Sequence, residues 1–178
     1  MFKGAMKKSP LKNISTKTTQ PNAKEIVGLL LKDHKAMRAL IQKIKSPRSA
    51  PSKKLNAFAT LEKLVTSHVK AEETSLLEKI KHHPRFEDQA SEGIEEHRIH
   101  EVIAAGIHRL KDTHRMLTQI EIYCEYLEHH LDEEEEDLFP KFKKYSALST
   151  RKNIGAAFMK KRKSTQLNRK KLGALKGE

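Results

Sequence analysis

Four segments of the chain each set a histidine into an apolar stripe that recurs at helical spacing, and in three of them a glutamate follows one turn later. Val27, Leu30, His34, Met37 and Ile41 share a helix face in the first segment. Leu61, Val65, His68, Glu72 and Leu76 do so in the second. Ile94, His97, Glu101 and Ala104 form the third stripe, and Ile120, Tyr123, Leu127, His130, Glu134 and Leu138 the fourth. An apolar stripe of this kind faces a core. It therefore carries imidazoles and carboxylates to a place where an unpaired carboxylate costs several kcal/mol or takes up a proton.

The rest of the sequence fits an all-α chain. Seven glycines and six prolines among 178 residues argue against a turn-rich β fold. No run of about 18 apolar residues occurs, so no transmembrane helix is expected. An Asn22…Glu25 pair reads as a capping box that opens a helix over about 22–46, ended by Pro47. Further helices are expected over about 51–82, before Pro84, and over about 87–111. After a Lys111-Asp112-Thr113 turn, a fourth helix covers about 113–138 and closes at Pro140. Four long helices with short links predict an up-down-up-down four-helix bundle. Ser149 or Thr150 offers the cap of a further helix over about 150–165.

Charge divides the chain into three. Residues 1–24 hold six lysines and no acid, and residues 141–178 hold thirteen Lys and Arg against Glu178 alone. The middle, 25–140, carries 17 basic and 22 acidic residues. The expected organisation is a basic leader over 1–21, a helical bundle over 22–145 and a basic C-terminal tail over 146–178, partly helical. The leader lacks the apolar stretch of a secretory signal, and a cytoplasmic location is expected. The tail's Lys160-Lys161-Arg162-Lys163 and Arg169-Lys170-Lys171 runs suit either solubility or weak, salt-sensitive contact with nucleic acid or an anionic membrane.

Bound cations would compensate the buried polar groups. One cysteine, Cys124, excludes a disulfide framework, a Cys-rich zinc site and an all-thiolate iron–sulfur cluster. Imidazole with carboxylate suits iron. A histidine and a glutamate one turn apart can serve two ions about 3.5–4 Å from each other. Two histidines per ion and two shared carboxylates leave about one position per ion open to a small molecule, once an oxo or hydroxo bridge is counted.

The runs Ser67-His68-Val69-Lys70-Ala71-Glu72-Glu73 and His130-Leu131-Asp132-Glu133-Glu134, the latter leading into Leu138-Phe139-Pro140, resemble the two HxxxE motifs of the hemerythrin-like HHE cation-binding family. Asp33-His34-Lys35 and Glu95-Glu96-His97-Arg98 resemble that family's first and third histidine motifs. The resemblance covers about residues 24–145. It implies a four-helix bundle around two non-haem iron ions with an oxo or hydroxo bridge. The implied ligands are His34, His68, Glu72, His97, His130 and Glu134, and the implied partner is O₂ or NO. The chain differs from the oxygen-storing members in carrying Glu101 where they place a second third-helix histidine, and it lacks the Cys-bearing module of the iron–sulfur-repair members.

Several residues compete for these roles. His129 and Glu133 also form an HxxxE pair, on a face of acidic neighbours, and His100 competes with His97 for the third-helix position. His82, His83, His108 and His114 read as surface residues, Cys124 as a small core residue, and Tyr123 as core or as a neighbour of the metals. Binding or sensing of a diatomic ligand is the leading expectation. An enzyme acting on NO or peroxide, or in iron-centre repair, is the second. A redox- or iron-responsive protein that meets nucleic acid through its tail is the third. No separate base or nucleophile stands out, so no catalytic residue is named.

Overall fold

Five helices make up the fold among the described residues. The computed structural model describes residues 25–174, with side chains over 25–164; the expected leader and Asn22 lie outside the described residues. Helix α1 (Ile26–Lys45) opens at Glu25, whose side chain accepts a bond from the Gly28 N–H at 2.9 Å. Glu25 is thus the cap itself, where the sequence suggested the far end of a box begun by Asn22. Helix α2 (Pro51–Glu72) begins on a proline, whose missing N–H would have no partner in a first turn anyway. It continues through a wide π-helical turn, Glu73–Leu77, into a last turn, Glu78–Ile80.

Helix α3 (Glu87–His108) and helix α4 (Thr113–Glu133) are joined by a short link. Asp112 caps α4 by accepting from the Arg115 N–H at 2.7 Å. Pro140 does not end α4. A second π-helical turn, Glu134–Leu138, precedes a further stretch of helix, Phe139–Tyr145, that contains it. The Phe139 N–H bonds back to the Glu134 carbonyl, five residues away. The wider turn relieves the clash that a proline ring makes inside a tight helix.

Helix α5 (Leu148–Ala174) is longer than the segment expected over 150–165. It lies against α1 and α2 and buries Ile154 and Phe158. Its sequence is poor in apolar residues, so these two side chains carry its apolar packing. Arg151 ties its start to the buried Glu25 carboxylate at 3.2 Å.

The core has two apolar layers. One gathers Leu30, Leu76, Leu77, Phe86, Leu138, Phe139, Phe142 and Phe158. The other gathers Met37, Ile41, Phe58, Leu61, Val65, Tyr123, Leu127 and Leu131. On α1, His34 falls between Leu30 of the first layer and Met37 of the second; on α4, Glu134 falls between Leu131 and Leu138. The polar residues of the stripes therefore form a layer with apolar packing on both sides. Among the described residues, no helix is long and apolar enough to cross a membrane.

Candidate metal centre

His34, His68, Glu72, His97, His130 and Glu134 are all buried, each at most 4% exposed. They fall into two triads, His34–His68–Glu134 and Glu72–His97–His130. In each triad, one nitrogen or oxygen per residue lies within 4.8 Å of the others. Each glutamate also reaches the other triad. Glu134 lies 3.2 Å from His34 Nε2 and 3.8 Å from His130 Nε2. Glu72 lies 3.2 Å from His68 Nε2 and 3.9 Å from His97 Nε2. The two facing Nε2 atoms of His97 and His130 are 3.2 Å apart.

The histidine–glutamate approaches lack hydrogen-bonding geometry. His34 Nε2, His68 Nε2 and both oxygens of Glu72 and Glu134 are buried without a hydrogen-bond partner. At about 1–3 kcal/mol per unsatisfied group, six such atoms cost about as much as the 5–15 kcal/mol that holds a whole domain together. A set of neutral imidazoles and anionic oxygens converging on one space is a donor set for cations, so the residues present fit a bound metal.

The opposite edges of the four imidazoles are held by carboxylates in a closed cycle. Asp33 of α1 accepts from His68 Nδ1 of α2 at 3.3 Å, and Glu73, next to α2, accepts from His97 Nδ1 of α3 at 3.0 Å. Glu96 of α3 accepts from His130 Nδ1 of α4 at 2.6 Å, and Glu135, next to α4, accepts from His34 Nδ1 of α1 at 2.9 Å. Each helix thus grips the histidine of the next. A carboxylate on Nδ1 fixes the ring and leaves the Nε2 lone pair facing inward, the arrangement that raises a histidine's strength as a ligand.

The local sequence explains the cycle. Helices α1 and α3 each carry an acid followed by histidine, Asp33-His34 and Glu96-His97. Helices α2 and α4 each carry a histidine followed four and five residues later by two glutamates, His68 with Glu72-Glu73 and His130 with Glu134-Glu135. The first glutamate turns inward and the second reaches the neighbouring helix, and a π-helical turn occurs at this point in both rods. Such widened turns are frequent at functional sites.

Protonation follows the same fields. Burial alone would lower His68, but its bond to Asp33 and the close Glu72 and Glu134 carboxylates raise it to about 10. Burial would likewise lower His130, which Glu134, Glu96 and Glu72 raise. Glu134 is held well below the usual carboxylate range: burial opposes this, and the surrounding His130, His34 and His68 outweigh it. The pocket is negative enough to favour protons on His68 and His130, and metal cations compete for the same atoms.

The competing residues fall elsewhere. His129 is exposed and pairs with Glu133 at 3.3 Å. Glu101 is exposed and outside both triads. His100 is buried but belongs to neither triad; its ring packs on Tyr123, Tyr126 and His130 at 5.4, 5.5 and 5.7 Å. Burial, then the neighbouring His130 and His97, lower His100 to about 3. His82, His83, His108 and His114 are exposed, and Cys124 is buried. Sequence reasoning missed Asp33, Glu73, Glu96 and Glu135. Their signal was adjacency, since each stands next to a candidate ligand. It also missed Phe158 and Arg162 of α5, for which periodicity offered no cue.

A helical body with two buried clusters of imidazole and carboxylate defines a metal-binding protein. The chain belongs to the hemerythrin HHE cation-binding domain family, whose model matches residues 25–142. Helix α5 lies beyond that match. Comparisons with curated proteins and with solved structures return no match.

Proposed function

We propose that the helices hold two iron ions and that the protein binds or senses a small diatomic ligand, O₂ or NO, at that centre. In this reading α1–α4 form the up-down-up-down bundle, and α5 completes the functional unit as part of the packed body. His34 and His68 ligate one ion, His97 and His130 the other, and Glu72 and Glu134 bridge the two. The observation that carries the reading is the pairing of two His₂Glu triads with inward atoms lacking partners, each carboxylate within 3.9 Å of a histidine from both triads.

Bound iron supplies a site for reversible, redox-linked capture of a diatomic molecule. The chain's own residues do the rest. Asp33, Glu73, Glu96 and Glu135 hold the four rings in register through their Nδ1 protons. The apolar layers above and below limit entry of water.

Protein produced with iron is expected to contain close to two iron ions per chain. Its ultraviolet–visible spectrum should change on exposure of the reduced form to O₂ or NO. One iron or none would overturn the dinuclear reading, and two irons with no spectral response to either gas would overturn the ligand. Metal removal should lower the melting temperature by several degrees, since a ligand bound only by the folded state stabilises it.

A further inference from the structure

The two triads share one pattern but not one enclosure. On the α1–α2 side, the ring of Phe139 lies 5.4 Å from that of His34, and the ring of Phe158 lies 6.0 Å from that of His68. The outer carboxylates there are backed by arginines: Arg162 donates to Asp33 at 2.6 Å and Arg38 to Glu135 at 3.3 Å. On the α3–α4 side, His97 forms part of the wall of two clefts. One, of about 220 Å³, is bounded by Val65, Val69, His100, Ala104, Ala105 and Tyr123. The other, of about 230 Å³, is bounded by Glu73, Ile94 and Glu101. Glu96, the acid behind His130, lies within 4.8 Å of a second carboxylate, Glu133, rather than against an arginine.

His100 is the unexplained residue. It is 2% exposed, both ring nitrogens are buried without a partner, and it borders the first cleft with its ring 5.7 Å from that of His130. A core imidazole is normally bonded. One that borders a cleft against a triad is placed to bond something that enters the cleft.

We propose that small ligands enter through the cleft between α2, α3 and α4, bind at the Glu72–His97–His130 position, and are hydrogen-bonded there by His100. The apolar walls of Val65, Val69 and Ala104 suit a weakly hydrated molecule of two or three atoms with a polar end, neutral or singly anionic. Glu134 of the other triad also lines a cleft, of about 200 Å³, but its wall carries Glu92, Glu96, Glu133, Glu136 and Asp137, a charge that disfavours an anion. The inference rests on the proposed di-iron reading and adds to it which cleft the ligand takes and which residue outside the ligand set meets it.

Azide, a three-atom anion, is the probe, used on the iron-loaded full chain with iron content measured alongside. His100→Phe keeps the ring packing and removes both nitrogens; azide Kd should rise about five- to tenfold, the loss of one hydrogen bond. His100→Gln should recover part of that loss. Ala105→Phe, at the exposed mouth, should slow azide uptake about tenfold, while Ala39→Phe, exposed in a cleft beside Glu135 on the opposite face, should leave uptake unchanged. Iron content should equal that of the parent in all four variants. Unchanged azide binding in His100→Phe, iron loss in that variant, or slowing by Ala39→Phe instead of Ala105→Phe would each overturn the inference while leaving the di-iron reading in place. A parent protein that holds two irons and takes up neither azide nor a diatomic gas would overturn the functional reading and this inference together.

Discussion

The α1–α2 half of the centre and the α3–α4 half use the same parts: an acid before one histidine, two glutamates after the other, and a carboxylate behind each ring. They differ in what lies outside those parts. Helix α5 lays Phe158 over His68 and sends Arg162 to Asp33. The other half has no equivalent among the described contacts: Glu73 and Glu101 line an open cleft, and Glu96 meets another acid. The repeated inner pattern provides two matching His₂Glu triads, and an added helix makes their surroundings unlike. A helix outside the family match thus distinguishes the two halves.

The largest effects should come from residues common to both halves. Glu134→Ala should reduce bound iron from about two per chain to less than one, because its oxygen approaches histidines of both triads; metal analysis checks this, and retention of one full ion would show that the halves bind independently. Next comes the cap. Phe158 is fully buried, and Phe158→Ala should cost about 3–5 kcal/mol of stability, read as a lower urea midpoint. A loss below about 1 kcal/mol would mean that α5 adds little to the fold.

The outer carboxylates sharpen the comparison further. Asp33→Asn should weaken metal binding about 10- to 100-fold, and Glu96→Gln should weaken it less. Asp33 is 3% exposed and joined to Arg162, whereas Glu96 is only half-buried. Competition with a chelator measures both; equal losses would remove the arginine's part in the argument.

Acidity separates His68 from His100 by sign. His68 is raised to about 10, so its contribution to the stability of metal-free protein is full below the ordinary histidine value and fades as pH climbs through about 10. His100 is lowered from 6.5 to about 3, so the unfolded chain takes a proton that the folded chain refuses. Its contribution is present above 6.5 and is lost as pH falls towards 3. Melting of metal-free protein between pH 4 and 7 should therefore slope less steeply in His100→Phe than in the parent. The smallest effect belongs to the outward neighbour: His129→Ala should shift stability by no more than about 0.5 kcal/mol and leave iron unchanged. Loss of iron there would mean that the wrong member of the His129-His130 pair has been read as inward.

Much of the centre could be read before any coordinates. The stripes through His34, His68, His97 and His130 identify helices and their buried faces, because a residue's place in a 3.6-residue period sets the side of the helix it occupies. Other features could not be read this way. Pro140 is an ordinary stop signal, yet a π-helical turn precedes it and helix continues over Phe139–Tyr145. Glu25 marked the start of α1 correctly, but as cap rather than as the box's far residue.

Sequence by itself determined the all-helical class and the four polar stripes, since periodicity is a local property that each segment carries alone; the set of six candidate ligands came from the resemblance of its motifs to the HHE family. Tertiary structure decided which carboxylate holds which histidine, and it alone placed a lysine- and arginine-rich helix against the core through Ile154, Phe158 and Arg162. The physical reason is that a helical period specifies a face but not what that face meets. Asp33 meets Arg162 across 129 positions of chain, a pairing that only the packing of α5 creates.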